Sequence, residues 1–200
     1  MLNLYTKILL GLCAVVMSAC SSTPATQFYV LQAVSQPTTE VLSNDKKPLI
    51  GVGPLTLPAV LGRTQIVSQK ADNSIEIAEF HQWAAPLQES IIAVLSKNIA
   101  TLQPNALIKA YPWSAYGNMD YRIIIDITRF DSQRGQSATL EASWSIMEEK
   151  KHTLIRSGQT KITKNLPDAS YSSVAKVFSA LLADFSQQLV LAIKQLPKPN

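Results

Sequence analysis

Histidines, thiols, activated serines and paired carboxylates are the groups from which a chain of 200 residues would build a catalytic or metal centre, and here they are sparse and scattered. His81 lies next to Trp83, and His152 follows the turn-like Lys150-Lys151. Neither belongs to an HxxxH, HExxH or CxxC spacing, so no zinc or other metal site is expected, and both rings read as structural or surface groups. A serine nucleophile would need the strained Gly-x-Ser-x-Gly elbow, whereas Ser157-Gly158 is a lone dipeptide in a strand. Asp126, Asp131 and Glu141 are isolated acids on strand faces, which are ordinarily solvated. Gly51-x-Gly53 is followed by Pro54 rather than by a helix start, so it cannot cradle a phosphate. With no such constellation, neither catalytic residues nor a cofactor is expected.

The remaining reactive group is a thiol. Lys7, the apolar run Ile8 to Val16 and the small residues that follow have the three-part layout of a secretory signal over residues 1–19. The run is too short for the roughly 20 apolar residues that cross a bilayer. It ends in Met17-Ser18-Ala19-Cys20, which resembles the lipobox of bacterial lipoproteins, with Met17 in place of the usual Leu. Small side chains admit the backbone to a peptidase cleft, and a thiolate is the nucleophile that takes a diacylglyceryl group. Cys20 is therefore expected to carry covalent diacylglyceryl and N-acyl chains, and these anchor the protein in place of any cofactor. Cys13 leaves with the leader, so no thiol remains for a disulfide or metal. Two or more acyl chains hold a protein on a bilayer, since each buried CH₂ contributes about 0.8 kcal/mol. Ser21 stands where an Asp, by enterobacterial sorting rules, would retain a lipoprotein in the inner membrane, so an outer-membrane anchor facing the periplasm is expected.

Behind the anchor, residues 20–26 are expected to form a short link and residues 27–200 a single domain. Hydrophobic residues make up 46% and charged residues 16%, a globular composition that excludes disorder for most of the chain. The net charge of +4 comes without any basic run longer than two residues, which argues against a nucleic-acid partner. Gln27 to Leu31 reads as a strand, Ser35 to Pro48 as a polar loop and Leu49 to Leu55 as a second strand. Thr64 to Ser68 and Ser74 to Ala78 pair across Ala71-Asp72-Asn73. Pro86 to Leu102 has a helical apolar stripe interrupted at Asn98. Ala106 to Ala110 is a short strand. Tyr121, Ile123, Ile125 and Ile127 share one strand face, as do Leu140, Ala142, Trp144 and Ile146, with a hairpin turn at Asp131 to Gly135; His152 to Thr163 completes the meander. Ser170 to Leu196 is a long amphipathic helix closed by Pro197. The expected fold is α+β, an antiparallel or mixed sheet with two amphipathic helices packed on it.

Two proline-bearing apolar stretches, Leu55 to Leu61 and Trp83 to Leu87, and the aromatic loop Tyr111, Trp113 and Tyr116 remain. Large aromatics in a Pro and Gly loop lean toward contact with a partner, because exposed ones cost solubility when uncovered. Trp83, Pro86, Leu87, Tyr111, Trp113 and Tyr116 are the candidate partner-binding residues, although Trp83 is equally suited to a core.

With Cys20, Phe28-Tyr29-Val30-Leu31, Val52 to Leu61 followed by Arg63 and Gln65-Ile66-Val67, Trp83-Ala84-x-Pro86-Leu87, Phe130-Asp131 and Leu140-x-Ala142-x-Trp144 in this order, the chain resembles the PqiC-type family of ABC-transport auxiliary lipoproteins. Val60 and Gly62 stand where that family often has an aromatic and an acid. The resemblance implies no catalysis. It implies a periplasmic domain under the outer membrane that docks an MCE-type periplasm-spanning protein of an intermembrane lipid transport system. Self-association into a homo-oligomer stays open. The alternative is a lipoprotein regulator of a peptidoglycan synthase, but six tether residues, Ser21 to Thr26, reach at most about 20 Å through the cell wall. An outer-membrane assembly factor would show barrel-type strands, and only globular-type strands are present.

Overall fold

The computed structural model describes residues 24–35, 47–113 and 117–197, together with Asn3. The leader, Cys20, Tyr116 and most of the Ser35 to Pro48 loop lie outside the described residues. Element order is β1 (Gln27–Tyr29), β2 (Leu49–Thr56), a 3₁₀ turn (Ala59–Leu61), β3 (Gln65–Gln69), β4 (Ile75–Trp83), α1 (Leu87–Leu102), β5 (Leu107–Ala110), β6 (Tyr121–Gln133), β7 (Ser137–Glu148), β8 (Thr153–Asn165) and α2 (Tyr171–Ile193). The strands form two sheets rather than one. The larger is mixed, ordered β5-β2-β6-β7-β8, and the smaller is ordered β1-β4-β3.

The large sheet is half covered. Ile50 and Val52 of β2, Ile123, Ile125 and Ile127 of β6 and Leu140 and Ile146 of β7 are buried against the helices, α1 lying over β2 and β5 and α2 over β7 and β8. Period-2 alternation sends the intervening side chains to the open outer face. On β6 this alternation changes phase. A register irregularity between Ile127 and Arg129 turns Phe130 and Ser132 inward, so the strand runs on to Gln133 and the turn is Arg134 to Gln136, tighter and later than the Asp131 to Gly135 hairpin expected from the sequence. Gly135 takes φ +72°, the left-handed conformation that closes this turn.

The small sheet crosses the far end of β6, where the Ser68 and Ser132 hydroxyls are 3.3 Å apart. β4 extends past Ala78 to Trp83, and β1 joins its end in parallel, with Gln27 opposite His81 and Tyr29 opposite Trp83. Helix α2 spans both sheets: Trp83 stacks on Phe178 at 6.0 Å, while Gln188 accepts from the Thr160 hydroxyl of β8 at 2.8 Å. Length and composition alone would let α2 cross a membrane. Its Phe178, Leu181, Phe185 and Leu189 are, however, core residues of the domain.

The Asn98 that interrupts the α1 stripe is fully buried. Its Nδ2 donates to Ser186 Oγ of α2 at 3.2 Å, and its Oδ1 accepts from Val34 N at 2.8 Å. Polar side chains survive burial when bonded this way. Gln32 N donates to Ser179 Oγ at 3.0 Å, so the segment after β1 is stitched to both helices.

Candidate docking site at the end of strand β2

Strand β2 is unusual in carrying Gly51 and Gly53 on its outer face, opposite Ile50 and Val52. A Cβ on Gly51 would stand 2.9 Å from Trp113 Cε3, and one on Gly53, whose φ is +119°, would stand 2.5 Å from Tyr111 Cβ. The two glycines let the chain beyond β5 fold back onto the sheet. Tyr111 N donates to Val52 O at 2.9 Å, and the Tyr111 and Trp113 rings meet edge to face with centroids 5.1 Å apart. Trp113 is half-buried by this packing; Tyr111 stays 47% exposed.

The two proline-bearing stretches converge beyond the same strand end. Leu57, Pro58, Leu61 and Arg63 face Pro86 and Leu87 across a depression of about 310 Å³. Gln88, in the first turn of α1, closes its floor by donating from Nε2 to Leu55 O at 2.6 Å. Arg63 Nε donates to Val60 O at 3.0 Å, which leaves the rest of the exposed guanidinium at the rim. The aromatic pair thus packs along the outer face of β2 at Gly51 and Gly53, and the proline cleft lies beyond the strand's C-terminal end.

The structure separates the other candidates. Trp83 is only 5% exposed and Leu87 is buried, because β4 carries Trp83 under α2 and the first turn of α1 points Leu87 into the sheet. Trp83 therefore lies beneath the surface, whereas Leu87, though buried, contributes to the wall of the cleft. Pro86 is exposed at the cleft rim, and Tyr116 lies outside the described residues. Gln88 was missed, as an exposed glutamine in a first helical turn carries no distinguishing pattern.

The reactive side chains are engaged structurally. His81 Nδ1 is 2.7 Å from Tyr29 OH, and its ring stacks on Tyr171 at 4.1 Å. Tyr171 OH donates to Glu76 Oε1 at 3.0 Å, which also pairs with Arg134 Nη1 at 2.6 Å. Burial, reinforced by the Glu76 hydrogen bond, raises the Tyr171 phenol above its ordinary range. Asp126 accepts from the Thr56 hydroxyl. Arg129 joins Asp131 at 2.7 Å, and Lys161 joins Glu141 at 2.9 Å. The Lys161 hydrogen bond holds the Glu141 carboxyl below its usual range. Among the described residues no three His, Cys, Asp or Glu side chains group as metal ligands.

The family model described as the ABC-type transport auxiliary lipoprotein component matches residues 29–190. The chain belongs to this family. It is 22% identical over 195 residues to the intermembrane transport lipoprotein PqiC of Escherichia coli K12, covering 96% of this chain and 99% of that one. The same figures hold for PqiC of Shigella flexneri. A crystal structure of an uncharacterized protein superposes with a TM-score of 0.70 at 18% identity, covering 85% of this chain and 99% of that one. One from Xanthomonas campestris gives 0.66 at 15% identity, covering 82% and 93%. The two solved structures share the α+β fold described above, and the chain is an ABC-type transport auxiliary lipoprotein component.

Proposed function

We propose that the protein is anchored through acylated Cys20 in the inner leaflet of the outer membrane, and that it acts without catalysis as the docking component of an MCE-type intermembrane lipid transport system. The observation that carries this reading lies along β2, where exposed Tyr111 and half-buried Trp113 are seated on Gly53 and Gly51 and a proline-lined cleft opens beyond the strand's C-terminal end. Aromatic anchors and a shallow apolar pocket suit recognition of a protein surface, with the Arg63 guanidinium at the pocket rim available to an acidic group. Family membership and the name of the curated relatives support the transport setting.

The test is site-specific photo-cross-linking in intact envelopes, with the probe at Tyr111, at Pro86 and, as a control, at the exposed Leu154 of β8. Capture of the MCE protein at the first two positions and not at the third is the expected result. Capture of a peptidoglycan synthase, or of nothing in cells that express the transport system, overturns the reading.

A further inference from the structure

The outer face of the small sheet exposes Phe28, Ile75 and Ile77 around the buried Val67, and Val30 follows directly after β1. Phe28 is 65% exposed, Val30 59%, Ile75 48% and Ile77 41%. Their common orientation follows from their neighbours. Tyr29, His81 and Trp83 point under α2, so Phe28 and its partner Gln82 point away. Glu76 also reaches Tyr171 of α2, so Ile75 and Ile77 point away as well. The two halves of β4 agree because the β3–β4 register shifts between Gln65 and Val67. A sheet covered on one side normally shows polar residues on the other, and a cluster of exposed apolar groups marks a surface that something covers.

We propose that this face rests on the lipid bilayer that holds the anchor. The inference rests on the acylation of Cys20 proposed above. β1 is the first element after the tether, and the six residues from Ser21 to Thr26 extend at most about 20 Å, so the anchor keeps Phe28 and Val30 within reach of the headgroup layer. Aromatic and aliphatic groups are favoured at that depth. Tethering also makes the second contact intramolecular, with an effective concentration near millimolar, so a face too weak to bind vesicles alone is held there once the chain is acylated. The small sheet then becomes the base of the domain and fixes the direction in which the end of β2 points.

The test uses the acylated full-length protein in phosphatidylethanolamine–phosphatidylglycerol vesicles, with and without brominated acyl chains. Phe28→Trp places an indole on the face and Leu154→Trp places one on β8; Trp83, Trp113 and Trp144 give the same background in both. Emission from the indole introduced at position 28 is expected to be quenched at least twofold more strongly by bromolipid than that from position 154. Equal quenching overturns the proposal. So does cross-linking of position 28 to a second copy or to a partner protein in place of lipid. Flotation of wild type against Cys20→Ala reads the anchor separately: loss of flotation in the variant supports acylation at Cys20, and unchanged flotation refutes the anchor whatever the quenching shows.

Discussion

Replacing Gly158 by alanine sets two opposing effects against each other. Gly158 lies opposite Trp144 in the β7–β8 ladder, and a Cβ there would stand 2.5 Å from Trp144 Cζ2 and 2.8 Å from Cε2. Carbon atoms rest at about 3.5 to 4.0 Å, so the indole must retreat by about 1 Å. Its Nε1 donates to Thr160 Oγ1 at 3.3 Å, and that hydroxyl donates onward to Gln188 of α2 at 2.8 Å, so the retreat loosens the link between sheet and helix. Overpacking of this kind costs about 1 to 3 kcal/mol. Alanine in a strand regains about 0.5 to 1 kcal/mol of the entropy that glycine loses on folding. The net expectation is a loss of about 1 to 2 kcal/mol, which for a domain of this size lowers Tm by about 2 to 8 °C. Circular dichroism melting measures it. Trp144→Leu combined with Gly158→Ala should lose less than the sum of the single changes, since the clash has gone. An unchanged or raised Tm for Gly158→Ala alone would refute the close packing of Trp144 on Gly158.

Cys20→Ala should abolish acyl labelling and membrane attachment, measured by palmitate incorporation and fractionation. Tyr111→Ala should weaken association with the transport partner about 30-fold, the equivalent of a hot spot of about 2 kcal/mol, while its Tm stays near wild type; Trp83→Ala should instead cost about 3 to 5 kcal/mol of folding stability, measured by denaturant titration. Asn98→Leu leaves Val34 N and Ser186 without their partner, so its hydrogen exchange should speed up first in residues 32–35. Hydrogen bonds from Ser74, Lys161 and Ser170 lower the pKa of Asp72, Glu141 and Asp168 respectively. The stability these contribute is present above the ordinary values of 3.8 for Asp and 4.5 for Glu and is lost as pH falls through the lower folded values. Burial raises Tyr29, Tyr121 and Tyr171, so the alkaline limb should lose stability as pH rises beyond 10.0, and melts across pH check both limbs.

The strands and helices with unbroken periodicity were legible in sequence. Tyr121, Ile123, Ile125 and Ile127 face the helices as their spacing requires, and both helix stripes form the core. What escaped is what a phase change hides. Past Ala78, β4 shifts register against β3, so the alternation expected for that strand stops at Ala78 and Trp83 is not seen to belong to it. The irregularity at Ile127 to Arg129 similarly made β6 look finished at Asp131. The division into two sheets was invisible because β1 pairs in parallel with β4, a contact between distant segments that no local pattern encodes. At the docking site a clue was present: two glycines in one strand imply a close neighbour, and Tyr111 and Trp113 were the unplaced aromatics.

The stitching of residues 27–34 to β4, α1 and α2 also sets how the domain carries load. A pull on the chain preceding the domain enters at Gln27 and is shared among the β1–β4 ladder, the Gln32 bond to Ser179 and the Val34 bond to Asn98. The tether thus ends in a grip distributed over one sheet and both helices. Under the proposed anchoring, that segment would bear tension without loading the end of β2, where docking is proposed.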